Sequence, residues 1–128
     1  MKHEERDAEL LADILVAAER IHGYQERFGN SLEEFLDDYA YQDSCMMQIV
    51  NIAERVKSLS SEFRDGHPEI PWGDISGMRN QLAHVYGNLD PEVAWETVEH
   101  DVPKLAVFCR NTLIAEFQRE DLLPAEET

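Results

Sequence analysis

"CMMQIVNIAERVKSLSSEF", Cys45–Phe63, is the stretch whose periodicity decides the fold class. Its apolar residues Cys45, Ile49, Ile52, Val56, Leu59 and Phe63 step by four, three, four, three and four positions. An α-helix of about 3.6 residues per turn returns a side chain to one face at those intervals, whereas a strand would alternate at every second residue. The spacing predicts a central core helix. Upstream, Leu11, Ile14, Leu15, Ala18, Ile21, Tyr24 and Phe28 give the same signature and "FGNS" closes it. Ser31 followed by Glu34 fits a capping box and opens a short helix through "LEEFLDD".

Downstream, "RDGHPEIPWG" places two glycines and two prolines within ten residues, which ends a helix and forms a semi-rigid loop. A fourth helix is predicted from about Asp74. In "LDPE", Asp90 reads as an N-cap and Pro91 as the first helical residue, where its missing N–H costs little. Asp101 with Pro103 either repeats that device or marks a kink. Leu105, Phe108, Cys109, Leu113, Ile114 and Phe117 then continue a helical stripe. No β alternation or repeat interrupts the pattern. The reading is an all-α antiparallel bundle of about four to six helices, one domain over residues 1–120 with an acidic, frayed tail at 121–128.

Composition narrows the function. The 27 acidic against 11 basic residues give a formal charge of −16, which repels polyanions at long range and argues against nonspecific duplex binding or attachment to anionic lipid. A role on nucleic acid has to rest on local geometry or on a partner. Cys45 and Cys109 both lie in apolar-periodic segments, as buried, reduced thiols do, which favours the cytoplasm. No apolar run approaches the roughly 20 residues of a membrane span, and the charged start "MKHEERDAEL" is not a secretory signal. His3, His22, His67 and His100 show no zinc-site spacing with the cysteines and read as surface residues. Neighbouring acids such as Asp37 and Asp38 read as solvated charge, and no phosphate-binding glycine loop occurs. No metal and no cofactor are predicted.

Against that acidic background, "GMRNQLAHVY" collects Arg79, Asn80, His84 and Tyr86. With Arg79 set at zero and about 100° per residue, Ile75, Met78, Leu82 and Val85 form a core stripe, and Asn80 and His84 share another face. Ser76, Ala83 and Gly87 lie between Arg79 with Tyr86 on one side and Asn80 with His84 on the other, a strip of small residues that a second backbone could approach closely. This set suits transfer of an RNA phosphodiester by its own 2′-hydroxyl. That step needs a group that exchanges a proton near neutral pH, the role of histidine, and a fixed cation for phosphoryl charge, the role of arginine. Taken singly, each residue reads as an ordinary solvated or half-buried helix side chain, and Trp72 and Trp95 read as packing anchors.

Taken together, "WGDISGMRNQLAHVYGNLDPEVAW", Trp72–Trp95, resembles the signature region of the HepT-like toxins of the HEPN superfamily, with the form R-N-x-x-x-H-x-Y. The resemblance implies a helical bundle that dimerises with its motifs facing across a cleft and acts as a metal-independent endoribonuclease. It implies Arg79 and His84 as catalytic residues, Asn80 as their support, and Tyr86 as the residue to which a partner nucleotidyltransferase antitoxin of the MNT type attaches AMP. An appended adenylate would add bulk and negative charge beside a phosphate site. The rival expectation is a non-catalytic helical adaptor, or degenerate toxin, that binds such a partner and is modified by it.

Overall fold

The computed structural model describes the backbone of residues 2–84 and 90–125 and the side chains of residues 3–78 and 90–125. Helix α1 is Lys2–Phe28, α2 Leu32–Leu36, α3 Tyr39–Ser58, α4 Ser61–Asp65 and α5 Trp72–His84. Helix α6, Pro91–Glu96, runs through a π-helical turn at Thr97–Asp101 into α7, Val102–Ala115, as one continuous rod, and a 3-10 turn follows at Glu120–Leu122. The described residues contain no strand, and the fold is all-α.

The two periodic segments supply the centre. Leu11, Ile14, Leu15 and Ile21 of α1 are buried with Cys45, Ile49, Ile52 and Val56 of α3, each large aliphatic side chain contributing about 1.5–3 kcal/mol relative to exposure. Three cross-links fix the direction of packing: Asp7 to Ser60, Asp13 to Arg55, and Tyr24 to Gln48. One index rises as the other falls, so α1 and the α3–α4 arm are antiparallel. Glu19 with Arg110 and Gln25 with Glu99 show that the α6–α7 rod also runs antiparallel to α1.

The helix ends follow their caps. Gly29 takes φ +109 at the end of α1, a left-handed conformation that suits glycine. Ser31 accepts from the Glu34 N–H at 3.2 Å and Asp90 from the Glu92 N–H at 3.0 Å, as the sequence predicts. Asp38, expected as solvated charge, instead accepts from the Ala40 and Tyr41 N–H groups and caps α3.

The structure sharpens or corrects four further expectations. The Cys45–Phe63 seam is buried throughout, but not as one helix. Ser60 leaves the helix, accepting from the Phe63 N–H while its own N–H and hydroxyl donate to the buried Asp7 carboxylate at 2.8 and 2.6 Å. Helix α5 begins at Trp72, two residues before Asp74, because Pro71 at its head already accepts from Ile75 N–H. Of the two readings of Asp101 with Pro103, the break in the helix holds and the cap does not: Pro103 lacks an N–H and crowds the preceding carbonyls, and the chain widens to a π turn in which Val102 N–H donates to Thr97. Ile114 leaves the core stripe and is exposed, whereas Leu105, Cys109 and Leu113 are buried.

Candidate active site

Two aromatic clusters hold the ends of the bundle, and one of them aims α5. Phe28, Phe35, Tyr41 and Trp95 pack around the α2 corner with ring centroids 5.0–6.1 Å apart. Burial without a hydrogen-bond partner pushes the Tyr41 phenol well above its ordinary range. At the other end, Phe63, Trp72, Phe108 and Phe117 pack together, and Trp72 Nε1–H donates to the His67 carbonyl at 3.0 Å. Trp72 and Trp95 are therefore packing anchors, as expected, and Trp72 fixes the first residue of α5 against the α6–α7 rod.

His67 departs from the surface role expected of it. Its side chain is only 19% exposed, its ring lies against Phe63 and Phe108 at 4.6 and 5.1 Å, and its Nε2 meets Glu116 at 2.9 Å. His3, His22 and His100 are exposed, as expected. Both cysteines are fully buried and unpaired, and burial alone pushes each thiol up to about 12.

Helix α5 packs chiefly against α3. Ile75 and Met78, two members of the expected core stripe, lie partly buried against the core; the side chain of Leu82 and all of Val85 lie outside the described residues. The opposite side of α5 is open. A Cβ built on Gly73 or Gly77 meets no atom of the described residues within 4 Å. Between α5 and the α6–α7 rod, reached by both glycines, lies a cleft of about 700 Å³, a size typical of ligand pockets. Ile70, Ile75, Met78 and Leu105 give it an apolar floor, and Glu69, Asp74, Asp101 and Lys104 its charged groups. The π turn contributes Thr97 and Asp101 to the far wall.

Arg79, Asn80 and His84 occupy the C-terminal half of α5, whose backbone is helical through His84. Their side chains lie outside the described residues, as does Tyr86 altogether. The helix register still places them relative to the cleft. Positions 73, 77, 80 and 84 step by four, three and four, so Asn80 and His84 fall on the same stripe as the two open glycines. Sequence reading assigned the small-residue strip to Ser76, Ala83 and Gly87 and passed over Gly73 and Gly77; the four-three-four spacing was the available signal. It also missed Asp101 and Lys104, which only the tertiary fold brings to α5.

No helix among the described residues is long and apolar enough to cross a membrane. The family described as Ribonuclease HepT-like matches residues 14–112, from α1 through most of α7 and across the whole Arg79–Tyr86 string. The chain is 35% identical to the probable ribonuclease HepT of Thermococcus cleftensis over 105 residues, covering 82% of this chain and 92% of that protein. It is 36% identical over 77 residues to a candidate RNase of Caldanaerobacter subterraneus subsp. tengcongensis, covering 60% and 69% of the two chains. A candidate RNase of Methanocaldococcus jannaschii is 30% identical over 95 residues, 74% of this chain and 77% of its own. No solved structure matches. With a family match that spans most of its length and a relative 35% identical over 82% of it, this chain belongs to the HepT-like ribonuclease family.

Proposed function

We propose that the protein is a metal-independent endoribonuclease, the toxin of a toxin–antitoxin pair, working in the cytoplasm as a homodimer. The observation that carries this reading is that positions 79, 80 and 84 share one continuous helix, with positions 80 and 84 in register with its open glycine face, in a member of the HepT-like family. In the proposed reaction the ribose 2′-oxygen attacks its own phosphorus and the P–O5′ bond breaks. The products are a 2′,3′-cyclic phosphate and a 5′-hydroxyl. The His84 imidazole takes the 2′-hydroxyl proton, and the partner subunit's copy of that imidazole returns a proton to the leaving oxygen, which is why one chain alone is insufficient. Arg79 offsets the charge that gathers on the phosphoryl oxygens through its planar fork, and Asn80 orients the reactants. Tyr86, two residues beyond His84, is the site at which a nucleotidyltransferase partner of the MNT type adds AMP and so places a competing negative charge beside the site.

The test is cleavage of structured RNA by purified protein in EDTA, with sedimentation of the same sample. The expected result is a dimer whose cleavage is lost in His84→Ala and in Arg79→Ala. A dimer that cuts at no concentration supports the rival reading, a non-catalytic adaptor that only binds its partner, for which the excess of carboxylates in the cleft would be no handicap. Incubation with the nucleotidyltransferase and ATP is expected to add adenylate mass on the peptide containing Tyr86. Label on another residue would remove that assignment.

A further inference from the structure

The cleft beside α5 adjoins the motif but is chemically unlike a phosphate site. Among its described residues the carboxylates Glu69, Asp74 and Asp101 outnumber the ammonium of Lys104, so this part of the cleft repels the phosphate of a bound RNA but not a neutral, flat, hydrogen-bonding group. A nucleobase is such a group. The apolar floor of Ile70, Ile75, Met78 and Leu105 suits its faces, and the missing side chains at Gly73 and Gly77 leave room for close approach. The cleft reaches Gly77, about 4.5 Å along the helix axis from position 80 and about 10 Å from position 84, a separation comparable with the step from one nucleotide to the next.

The charged pair on the far wall selects among bases. Asp101 and Lys104 are three residues apart on the rod, where the π turn meets α7, and neighbouring positions at that spacing lie about 5–6 Å apart. Neither makes a hydrogen bond or ion pair with another described residue. A carboxylate accepts from two adjacent N–H donors, and an ammonium beside it donates to a carbonyl. The Watson–Crick edge of guanine carries that order: N2–H and N1–H donate, then O6 accepts. Adenine and cytosine each set a ring-nitrogen acceptor against the carboxylate, and uracil flanks its single N–H with two carbonyls. The geometry points to a guanine-selective subsite in this cleft, with Asp101 and Lys104 as its specificity determinants, seating the base of a nucleotide next to the scissile phosphate. That role presupposes the ribonuclease activity proposed above, but the binding step does not.

The experiment therefore measures both. Guanosine and adenosine, uncharged nucleosides, are titrated by NMR into full-length His84→Ala protein, with and without Asp101→Asn, and into a Lys104→Met variant. Guanosine is expected to bind roughly tenfold more tightly than adenosine, with shifts at Gly77 and Thr97, and Asp101→Asn to erase the difference. Equal binding of the two nucleosides, or a ratio unmoved by Asp101→Asn, overturns the subsite. In parallel, cut positions on a randomised RNA are sequenced for the unsubstituted protein and Asp101→Asn. Cuts enriched beside G, and redistributed by the substitution, support the subsite; cuts without base bias overturn it. Guanosine selectivity in a protein that cleaves no RNA would leave the subsite standing and remove the ribonuclease reading instead.

Discussion

Gly77 sits inside α5, where an alanine would ordinarily be preferred. Glycine in a helix interior costs about 0.5–1 kcal/mol relative to alanine, through backbone entropy. A Cβ at this position meets no atom of the described residues within 4 Å, so Gly77→Ala introduces no clash with them to cancel that gain. The expected result is a stabilisation of about 0.5–1 kcal/mol, seen as a melting temperature higher by about 2–5 °C for a domain of this size. Gly77→Leu carries the same backbone benefit and also projects a side chain into the cleft. If substrate enters there, RNA cleavage falls at least about tenfold in the leucine variant, since small displacements of a bound reactant cost rates of that order. Gly23 is the matched control: it lies inside α1, on a different helix from the motif, and a Cβ there also meets nothing within 4 Å. Gly23→Ala is expected to stabilise by a similar amount and to leave cleavage at its starting rate. The assay is thermal denaturation paired with initial rates on one RNA. If Gly77→Leu cleaved as fast as the unsubstituted protein, the open face of α5 would have no part in substrate binding; if Gly77→Ala were destabilising, the face would not be open.

Other perturbations test the frame and the electrostatics. Asp7→Ala removes two charge-assisted hydrogen bonds to Ser60, each worth about 1.5–3 kcal/mol, and is expected to lower unfolding free energy in urea by at least about 2 kcal/mol; a loss below about 1 kcal/mol would mean that α4 is held by its aromatic cluster alone. The thiols of Cys45 and Cys109, pushed up to about 12 by burial, keep their protons in the folded state while the unfolded chain loses them above about pH 9. Their contribution is therefore intact below that pH and is lost as pH rises toward 12, by about 1.4 kcal/mol per pH unit for each thiol; alkylation at pH 8 should label neither until the chain unfolds, and rapid native labelling would contradict their burial. The formal charge of −16 predicts that RNA cleavage rises as salt goes from about 10 to about 150 mM, because the screening length shortens from about 30 to about 8 Å. A steep fall over that range would show that local cations outweigh the overall repulsion.

What could be read in the sequence was whatever depends on neighbours three and four residues away. The apolar stripes of α1 and α3, the caps at Ser31 and Asp90, and the buried state of both cysteines are of this kind, and the helical bundle follows from them. That positions 79, 80 and 84 share one helix was legible for the same reason, since their spacing is a local property of the chain. The failures have distant partners. Phe63 continues the α3 seam on a separate helix because Asp7, 53 residues earlier, draws Ser60 out of the ladder. His67 is half-buried because Phe108 of α7 closes over it and Glu116, just past the end of that helix, pairs with it. The cleft exists because α5 takes α3 as its packing partner and stands off from the α6–α7 rod, and no pattern within α5 states that distance.

Helix α5 is, by composition, the weakest of the long helices: Gly73, Ser76, Gly77 and Asn80 all have poor or middling helix propensity, and only one face carries core residues. Its formation therefore depends on tertiary anchors, Trp72 locked at its start by four-ring packing and the hydrogen bond to His67, and Ile75 with Met78 set against the core. A helix needed only for packing would gain from alanine at Gly73 and Gly77, and nothing sterically described around them opposes that change. The stability forgone along that face has a physical rationale if the face must admit something else, and the stripe it belongs to continues through positions 80 and 84. Stability and activity are then set against each other on one side of one helix, so substitutions that rigidify α5 toward its glycine face should move melting temperature and RNA cleavage in opposite directions, while substitutions of Ile75 or Met78 on its core face should lower both together.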